Sequence, residues 1–397
     1  MDRDALVLRN RTMTEAFHAM PLKHHLRRWL LKFITVLPIP HQRPPDRERI
    51  LLIRPDHVGD VLLATPALHA LRVARPRAEI HMLVGPWSAS VLETNDDVDA
   101  VLTLDFPGFN RSGNASLSSP YQLAWRTARY LRRIRYHSAV ILRPDHWWGA
   151  MATYLAGIPE RIGYDLPDVG NFLTHAVPHQ RTHVVMENLR LLERWTGALT
   201  PDEVSLTFNV HETDQAYIQA YLQEWGVNDQ PYFCIHPGSG TWVKRWDAAN
   251  WAQVADILSE QLDAIPIFTG GDHEMTLVQD IVAQMTHTPC IMVGDTNIGQ
   301  LAALFQNAKV VIGPDSGPLH LAAAVQTPTV ALFGPADPAE FAQWGPAHQH
   351  YILTSDIGCR PCRVLDWGAD HPDYHPCVRE ISVGRVLDAA RRAVNPG

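Results

Sequence analysis

Short, wholly apolar runs alternate with amphipathic stretches along most of this chain. Ile50 to Ile53 contains no polar position, as a parallel strand buried on both faces requires. Glu79 to Val84, Val98 to Leu104 and Ser138 to Leu142 read as further strands, with helices expected at Pro66 to Ala74 and Tyr121 to Ile134. A long helical pattern, MENLRLLERWTG, covers Met186 to Gly197. Between Leu199 and Asp229 the pattern changes character, which marks a domain junction. A second series of apolar runs follows at Tyr232 to Ile235, Ile265 to Thr269, Cys290 to Val293, Val310 to Gly313 and Thr329 to Phe333. Helices are expected between them at Ala248 to Leu262, His273 to Met285, Ile298 to Asn307 and Leu319 to Val325. The fold class is therefore α/β, two Rossmann-like doubly wound domains with ligands at facing strand ends across a cleft. The expected division is an N-terminal arm and linker at 1–45, a first domain at 46–205, a second at 206–375, and a C-terminal helix at 376–397 that returns to the first domain.

The arm has its own pattern. In PLKHHLRRWLLKFITVLP, residues 21–38, Leu22, Leu26, Trp29, Leu30, Phe33 and Leu37 fall on one helical face. Lys23, Arg27, Arg28 and Lys32 lie elsewhere, with no acid among them. Such a basic amphipathic helix suits peripheral contact with an anionic membrane. The alternative is a helix packed on the body of the protein. A Gly/Ser/Asn-rich loop from Phe106 to Pro120 reads as a functional flap or a disordered segment.

Composition narrows the class. With 46% hydrophobic and 19% charged residues the 397-residue chain is that of a globular protein. Its net charge of −8 gives no reason to expect a nucleic-acid partner. Five cysteines do not make a disulfide framework, and no signal peptide is apparent, so a cytoplasmic location is expected.

Candidate chemistry gathers at strand ends. The tetrapeptide Arg-Pro-Asp-His follows two apolar runs, at Arg54 to His57 and Arg143 to His146, which puts Asp56, His57, Asp145 and His146 in the expected cleft. Gly59 and Asp60 come just beyond; Asp60 is either a base for an attacking hydroxyl or a helix cap. In IHPGSGTWVKRW, Gly238 and Gly240 free the backbone around Ser239 and Thr241 for a phosphate, with Lys244 and Arg245 as cations. This stretch has neither Walker A nor Rossmann fingerprint spacing. Thr269 to Glu274 is another Gly-rich strand end whose acids can meet a ribose. Asp315, Ser316 and Gly317 form a turn into a helix that favours an anion, or merely caps it. Cys359, Cys362 and Cys377, near His371 and His375, are half of a zinc pattern; reduced loop cysteines are the alternative.

In this order, the strand with Val58-Gly-Asp60, HPGSGTWVKRW, GPDSGPLHLAAA and TPTVALFGPADP resemble glycosyltransferase family 9, the ADP-heptose:lipopolysaccharide heptosyltransferases. The match runs from Ile50 to about Arg379. The resemblance implies a GT-B fold and inverting sugar transfer without metal or cofactor, from ADP-heptose to a lipopolysaccharide-core or other glycan or glycolipid acceptor. It implies Asp60 as base, and Ser239, Thr241, Lys244, Ser316 and Gly317 on the donor diphosphate. Glu274, Asp315 and His320 would meet the nucleoside or sugar. Two other readings fit the same scaffold: a nucleotide-sugar epimerase and a non-catalytic nucleotide-sugar-binding protein.

Overall fold

A computed structural model describes residues 2–19, 22–36, 38–109, 119–227, 230–368 and 370–395. Residues 110–118 of the expected flap lie outside them. The chain begins with α1 (Arg3–His18) and α2 (Leu22–Thr35). The first sheet and its helices follow: β1 (Arg49–Arg54), α3 (Val58–Leu62), α4 (Thr65–Ala74), β2 (Glu79–Val84), β3 (Ala100–Thr103), α5 (Ser119–Ile134), β4 (Ser138–Ile141), α6 (Trp147–Leu155), β5 (Glu160–Tyr164), β6 (His175–Val177), α7 (Val184–Arg190) and α8 (Glu193–Thr196). The second series is α9 (Glu212–Glu224), β7 (Tyr232–Ile235), α10 (Ala248–Leu262), β8 (Ile265–Gly270), α11 (Met275–Val282), β9 (Cys290–Val293), α12 (Ile298–Gln306), β10 (Val311–Pro314), α13 (Gly317–Ala324), β11 (Thr329–Phe333), α14 (Pro338–Phe341), β12 (His350–Thr354) and α15 (Val383–Val394).

Each series builds a six-stranded sheet whose paired strands are parallel. The strand orders are β3-β2-β1-β4-β5-β6 and β12-β11-β10-β7-β8-β9, the same doubly wound topology twice. The order reverses between β1 and β4, where Ile53 pairs with Ile141, and between β7 and β10, where Ile235 pairs with Ile312. Helices cover the strands, so Leu51, Ile53, Phe233 and Ile235 have no exposed surface. That explains why these strands are apolar throughout and not alternating.

Several boundaries differ from the sequence reading. The long pattern at 186–197 splits into α7 and α8, because Leu192 N–H donates to Leu189 O at 2.8 Å and tightens the turn. β5, β6 and β12 are short strands that sequence reading did not separate from their flanks.

The N-terminal arm is divided as well. Residues 20–204 form one compact unit, while residues 1–19 belong with 205–397. Leu6 of α1 enters the core of the second unit, and Arg9 holds Asp370 through two bonds of 2.8 and 2.9 Å. In contrast, α2 enters the first unit through Leu31, and Arg27 and Arg28 both pair with Asp168 at 2.5 and 2.7 Å. The C-terminal helix, expected to return to the first domain, is instead part of the second unit. There α15 packs on α10, β11 and β12, with Val386, Ala390 and Ala393 in the core.

Candidate functional site

The first cluster forms where β1 and β4 end side by side, at the switch point of their sheet. Residues following these strands project from the carboxyl edge, where open α/β sheets bind ligands. Arg54, at the end of β1, is almost completely buried. It meets Asp56 in an ion pair of 2.8 Å, and its other nitrogens donate to Asp60 and Asn188, each at 3.2 Å. From the neighbouring strand end, Arg143 grips Asp56 and also donates to Asp145 at 2.6 Å. Two arginines thus hold one buried carboxylate between them, and Arg54 extends to a second at Asp60.

The two carboxyls are driven apart in acidity. Burial alone would raise Asp56, but Arg54 and Arg143 outweigh it and hold the group below the ordinary aspartate range. Asp60 goes the other way: loss of solvent and the adjacent Asp56 carboxylate raise it, against the pull of both arginines. Asp60 still keeps 29% of its side-chain surface, so it can reach a ligand. It sits in the first turn of α3, where His57 is the N-cap and makes no side-chain capping bond. A pair of titratable groups separated in this way is what acid–base chemistry needs.

The remaining expected first-domain residues behave differently from one another. His57 is exposed, its ring 5.7 Å from that of Trp87. Asp145 is exposed and tied to Arg143. His146 turns away from the strand ends into an aromatic nest of Phe106, Phe109 and Trp148. Burial pushes its imidazole down to about 3, and neither ring nitrogen has a hydrogen-bond partner among the described residues. Of the repeated tetrapeptide, Arg54, Arg143, Asp56 and Asp145 form the connected network. The sequence signal for the two arginines is their place as the first residue of both copies. Asn188, contributed by α7, carries no local sequence signal.

The second cluster repeats the placement in the other sheet, where β7 and β10 end side by side. After β7 the chain runs through His236, Gly238, Ser239 and Thr241 to Lys244. After β10 it gives Asp315 and Ser316 and then enters α13. Lys244 joins the two segments: its Nζ lies 2.6 Å from the Asp315 carboxylate and donates to the Asp315 carbonyl at 3.1 Å. Both side chains are largely buried, which makes this a desolvated pair. Ser316 is the N-cap of α13 yet makes no capping bond, and its buried hydroxyl has no hydrogen-bond partner among the described residues. Pro318 has no N–H and Leu319 N–H donates to Ser316 O, so Gly317 N–H is what the start of α13 sets beside an uncommitted hydroxyl and a cation, a combination suited to a phosphate.

Other donor-side candidates are committed internally. The Ser239 hydroxyl donates to Thr241 O at 3.1 Å, and the Thr241 hydroxyl donates to Leu365 O at 2.5 Å. What these residues offer a ligand is chiefly backbone. Arg245 is exposed and His320 is buried on α13. Glu274 is buried against the glycine loop and accepts from Gly271 N–H at 2.9 Å. A Cβ on Gly238 would stand 1.8 Å from its Oε1, so the glycine is needed where this carboxylate lies. His236, 3.8 Å from Glu274, was not singled out from the sequence; desolvation lowers its imidazole against the pull of Glu274.

Cys359, Cys362 and Cys377 line one small cavity together with Asn10, Trp367 and His375. His375 Nε2 lies 2.7 Å from Asp370, which Arg9 also engages. Among the described residues no group of three or more His, Cys, Asp or Glu side chains is disposed to hold a metal ion. The zinc alternative therefore lacks an assembled ligand set.

Known proteins resemble this chain over most of its length. It is 28% identical to lipopolysaccharide heptosyltransferase 3 of Escherichia coli over 300 residues, covering 72% of this chain and 83% of that one. It is 25% identical to lipooligosaccharide heptosyltransferase 2 of Haemophilus ducreyi over 353 residues, covering 85% and 97%. Among solved structures, a family 9 glycosyl transferase from Veillonella parvula superposes with a TM-score of 0.73 at 23% identity, covering 90% of this chain and all of that one. The ADP-heptose LPS heptosyltransferase II of E. coli does so at 0.68 and 20%, covering 87% and 98%. These neighbours identify the paired doubly wound units as the GT-B fold class. The family model described as glycosyltransferase family 9 (heptosyltransferase) matches residues 124–367, more than half of the chain, and with two Rossmann-type sheets beneath that match the chain belongs to glycosyltransferase family 9.

Proposed function

We propose that this glycosyltransferase moves heptose from ADP-heptose to a lipopolysaccharide-core or related glycolipid acceptor, with inversion and without a metal ion. In the proposed step, Asp60 accepts the proton of the acceptor hydroxyl as its oxygen attacks the anomeric carbon. The bond from that carbon to the diphosphate oxygen breaks, and ADP leaves. Lys244 and the Gly317 N–H at the start of α13 meet the growing charge on the leaving diphosphate, with Ser316 donating its hydroxyl. On donor binding the diphosphate competes with Asp315 for Lys244. Glu274 receives the nucleoside. Acceptor groups are met by Arg143, the more exposed of the two arginines.

What supports this reading most directly is Asp60, a partly exposed carboxyl raised above its ordinary range beside a carboxyl held low. A base is most effective when its pKa approaches the working pH. The names of the relatives support heptose as the sugar, and the name of one solved neighbour supports ADP-heptose as donor. No observation favours the epimerase or the non-catalytic reading.

Purified Asp60→Asn is expected to bind the donor as tightly as wild type while transfer falls by about 10²–10⁴-fold, the usual range for a lost general base. ADP release from ADP-heptose with a lipopolysaccharide-core acceptor measures it, and chelator in the same assay is expected to change nothing. Wild-type transfer by Asp60→Asn refutes the role of Asp60. Thermal stabilisation by a UDP- or GDP-sugar in preference to ADP-heptose redirects the donor.

We place the protein on the cytoplasmic face of a membrane, where a glycolipid acceptor is reached. No helix among the described residues is long and apolar enough to cross a bilayer, so the contact in this proposal is peripheral, through residues 21–38.

A further inference from the structure

The amphipathic helix α2 is docked the opposite way from a helix that buries its apolar face. Its inward contacts are made by Leu31, by Arg27 and Arg28 on Asp168, and by the Thr35 carbonyl, which accepts from Tyr154 Oη at 3.0 Å. Leu26, Trp29, Leu30, Phe33 and Val36 are left facing solvent, with Trp29 74% and Phe33 68% exposed. The cations expected to form the solvent face are thus used as anchors, and the apolar stripe is turned outward. Five large apolar side chains on one exposed helix face are more than scattered surface hydrophobics.

A second helix of the same unit shares this surface layer. The α5 helix packs on α6, and α2, α5 and α6 all cover the core that includes Leu51, Ile53, Ala139 and Ile141, on one side of the first sheet. The three are stitched together: Arg27 lies over the Trp147 ring, Trp147 packs against Tyr121, and Arg132 donates to Pro40 O at 2.9 Å. The outward face of α5 carries Trp125, Arg126, Arg129, Tyr130 and Arg133, all exposed, with Arg129 stacked 4.7 Å from Trp125. Neither helix contains an Asp or Glu, in a chain whose net charge is −8. Positive charge and exposed aromatics are thus gathered in one layer of an otherwise acidic protein.

We propose that α2 and α5 together form an interfacial surface for an anionic lipid bilayer, with the apolar face of α2 entering the headgroup boundary and Lys32, Arg126, Arg129 and Arg133 meeting lipid phosphates. The inference deepens the peripheral contact proposed above by assigning the inserting face and adding α5 as its electrostatic half. Trp and Phe on one side and cations on the other are the composition of helices that lie in a membrane interface. The charge pattern argues against a second copy as the occupant. A two-fold contact would bring the same patch from both subunits together, and here that patch offers cations with no acid to answer them.

Co-sedimentation of the full chain with vesicles tests this. Wild type is expected to bind vesicles of equimolar phosphatidylcholine and phosphatidylglycerol, to bind pure phosphatidylcholine far less, and to be released by salt. Trp29→Glu/Phe33→Glu is expected to abolish binding. Arg126→Glu/Arg129→Glu is expected to weaken it by about tenfold or more and to flatten its salt dependence. All four positions are exposed, so unchanged thermal unfolding confirms that the variants are folded. Failure of wild type to bind anionic vesicles overturns the proposal, as does binding that both variants retain. So does a wild-type dimer that Trp29→Glu/Phe33→Glu converts to monomer without any vesicle binding, since a second copy would then cover the face. Vesicle binding needs no nucleotide sugar, so this test and the Asp60 test fail independently.

Discussion

Gly238→Ala isolates the fit between the glycine loop and Glu274. A methyl group at this position would stand 1.8 Å from Oε1, 2.1 Å from Cδ and 2.4 Å from Oε2 of Glu274. No carbon tolerates that approach, so the carboxylate must turn away. It starts from a buried position, so turning moves it out of its present contacts. Turning breaks the bond from Gly271 N–H, and a hydrogen bond to a charged group is worth about 1.5–3 kcal/mol. For a unit of this size, each kcal/mol moves the unfolding midpoint by roughly 2–4 °C, so a drop of about 3–12 °C is expected. If Glu274 receives the nucleoside, ADP affinity should fall by about tenfold or more with the same displaced carboxylate. Thermal unfolding and calorimetric titration with ADP give the two readouts. In a Glu274→Ala background the clash partner is gone, so adding Gly238→Ala should cost almost nothing further in stability. A Gly238→Ala protein with wild-type midpoint and ADP affinity would refute the reasoning, and so would an equal cost in both backgrounds.

Two further outcomes are expected. Lys244→Met strands the buried Asp315 carboxylate, which should cost about 3–5 kcal/mol in urea unfolding, and should weaken ADP binding while leaving adenosine binding nearly unchanged. His146 has a folded value of about 3 against an ordinary 6.5, so the unfolded chain binds the extra proton between those limits. Its contribution is therefore complete above about pH 6.5 and is lost as pH falls toward 3; His146→Leu should flatten urea midpoints across that window, and an unchanged slope would contradict a buried neutral imidazole.

Much of the proposed donor side was legible because its residues are local. The segment from Val310 to Phe333 announces strand, turn, helix and strand through apolar runs broken by Pro314, Gly317 and Pro318, and the structure builds β10, α13 and β11 there. The loop after β7 was legible through its glycines. The pairing of Lys244 with Asp315 was not, since it spans 71 residues and exists only because β7 and β10 are neighbours. The Thr241 hydroxyl donates to Leu365 O, a partner no local pattern reveals. In the first unit the repeated tetrapeptide pointed to strand ends that do lie side by side, with Asp56 between Arg54 and Arg143, but its acids and histidines do not share one environment. His146 follows Asp145 by one position, yet the entry into α6 rotates it into the aromatic core.

By itself the sequence determined the periodicities: apolar runs that must be buried on two faces, amphipathic helices between them, and glycine-rich turns at strand ends. Those are local properties, set by side-chain solubility and allowed backbone angles. Tertiary structure alone decided which strand ends lie side by side, and hence that Arg54 and Arg143 share Asp56 and that Asp60 is raised while Asp56 is held low. It also decided the direction of α2. Helical periodicity defines an apolar face without saying what that face meets, and here Asp168, supplied from elsewhere in the chain, draws Arg27 and Arg28 inward and leaves the apolar stripe outside. Charge pairing and desolvation depend on distances between residues far apart in the chain, and only the folded arrangement sets those distances.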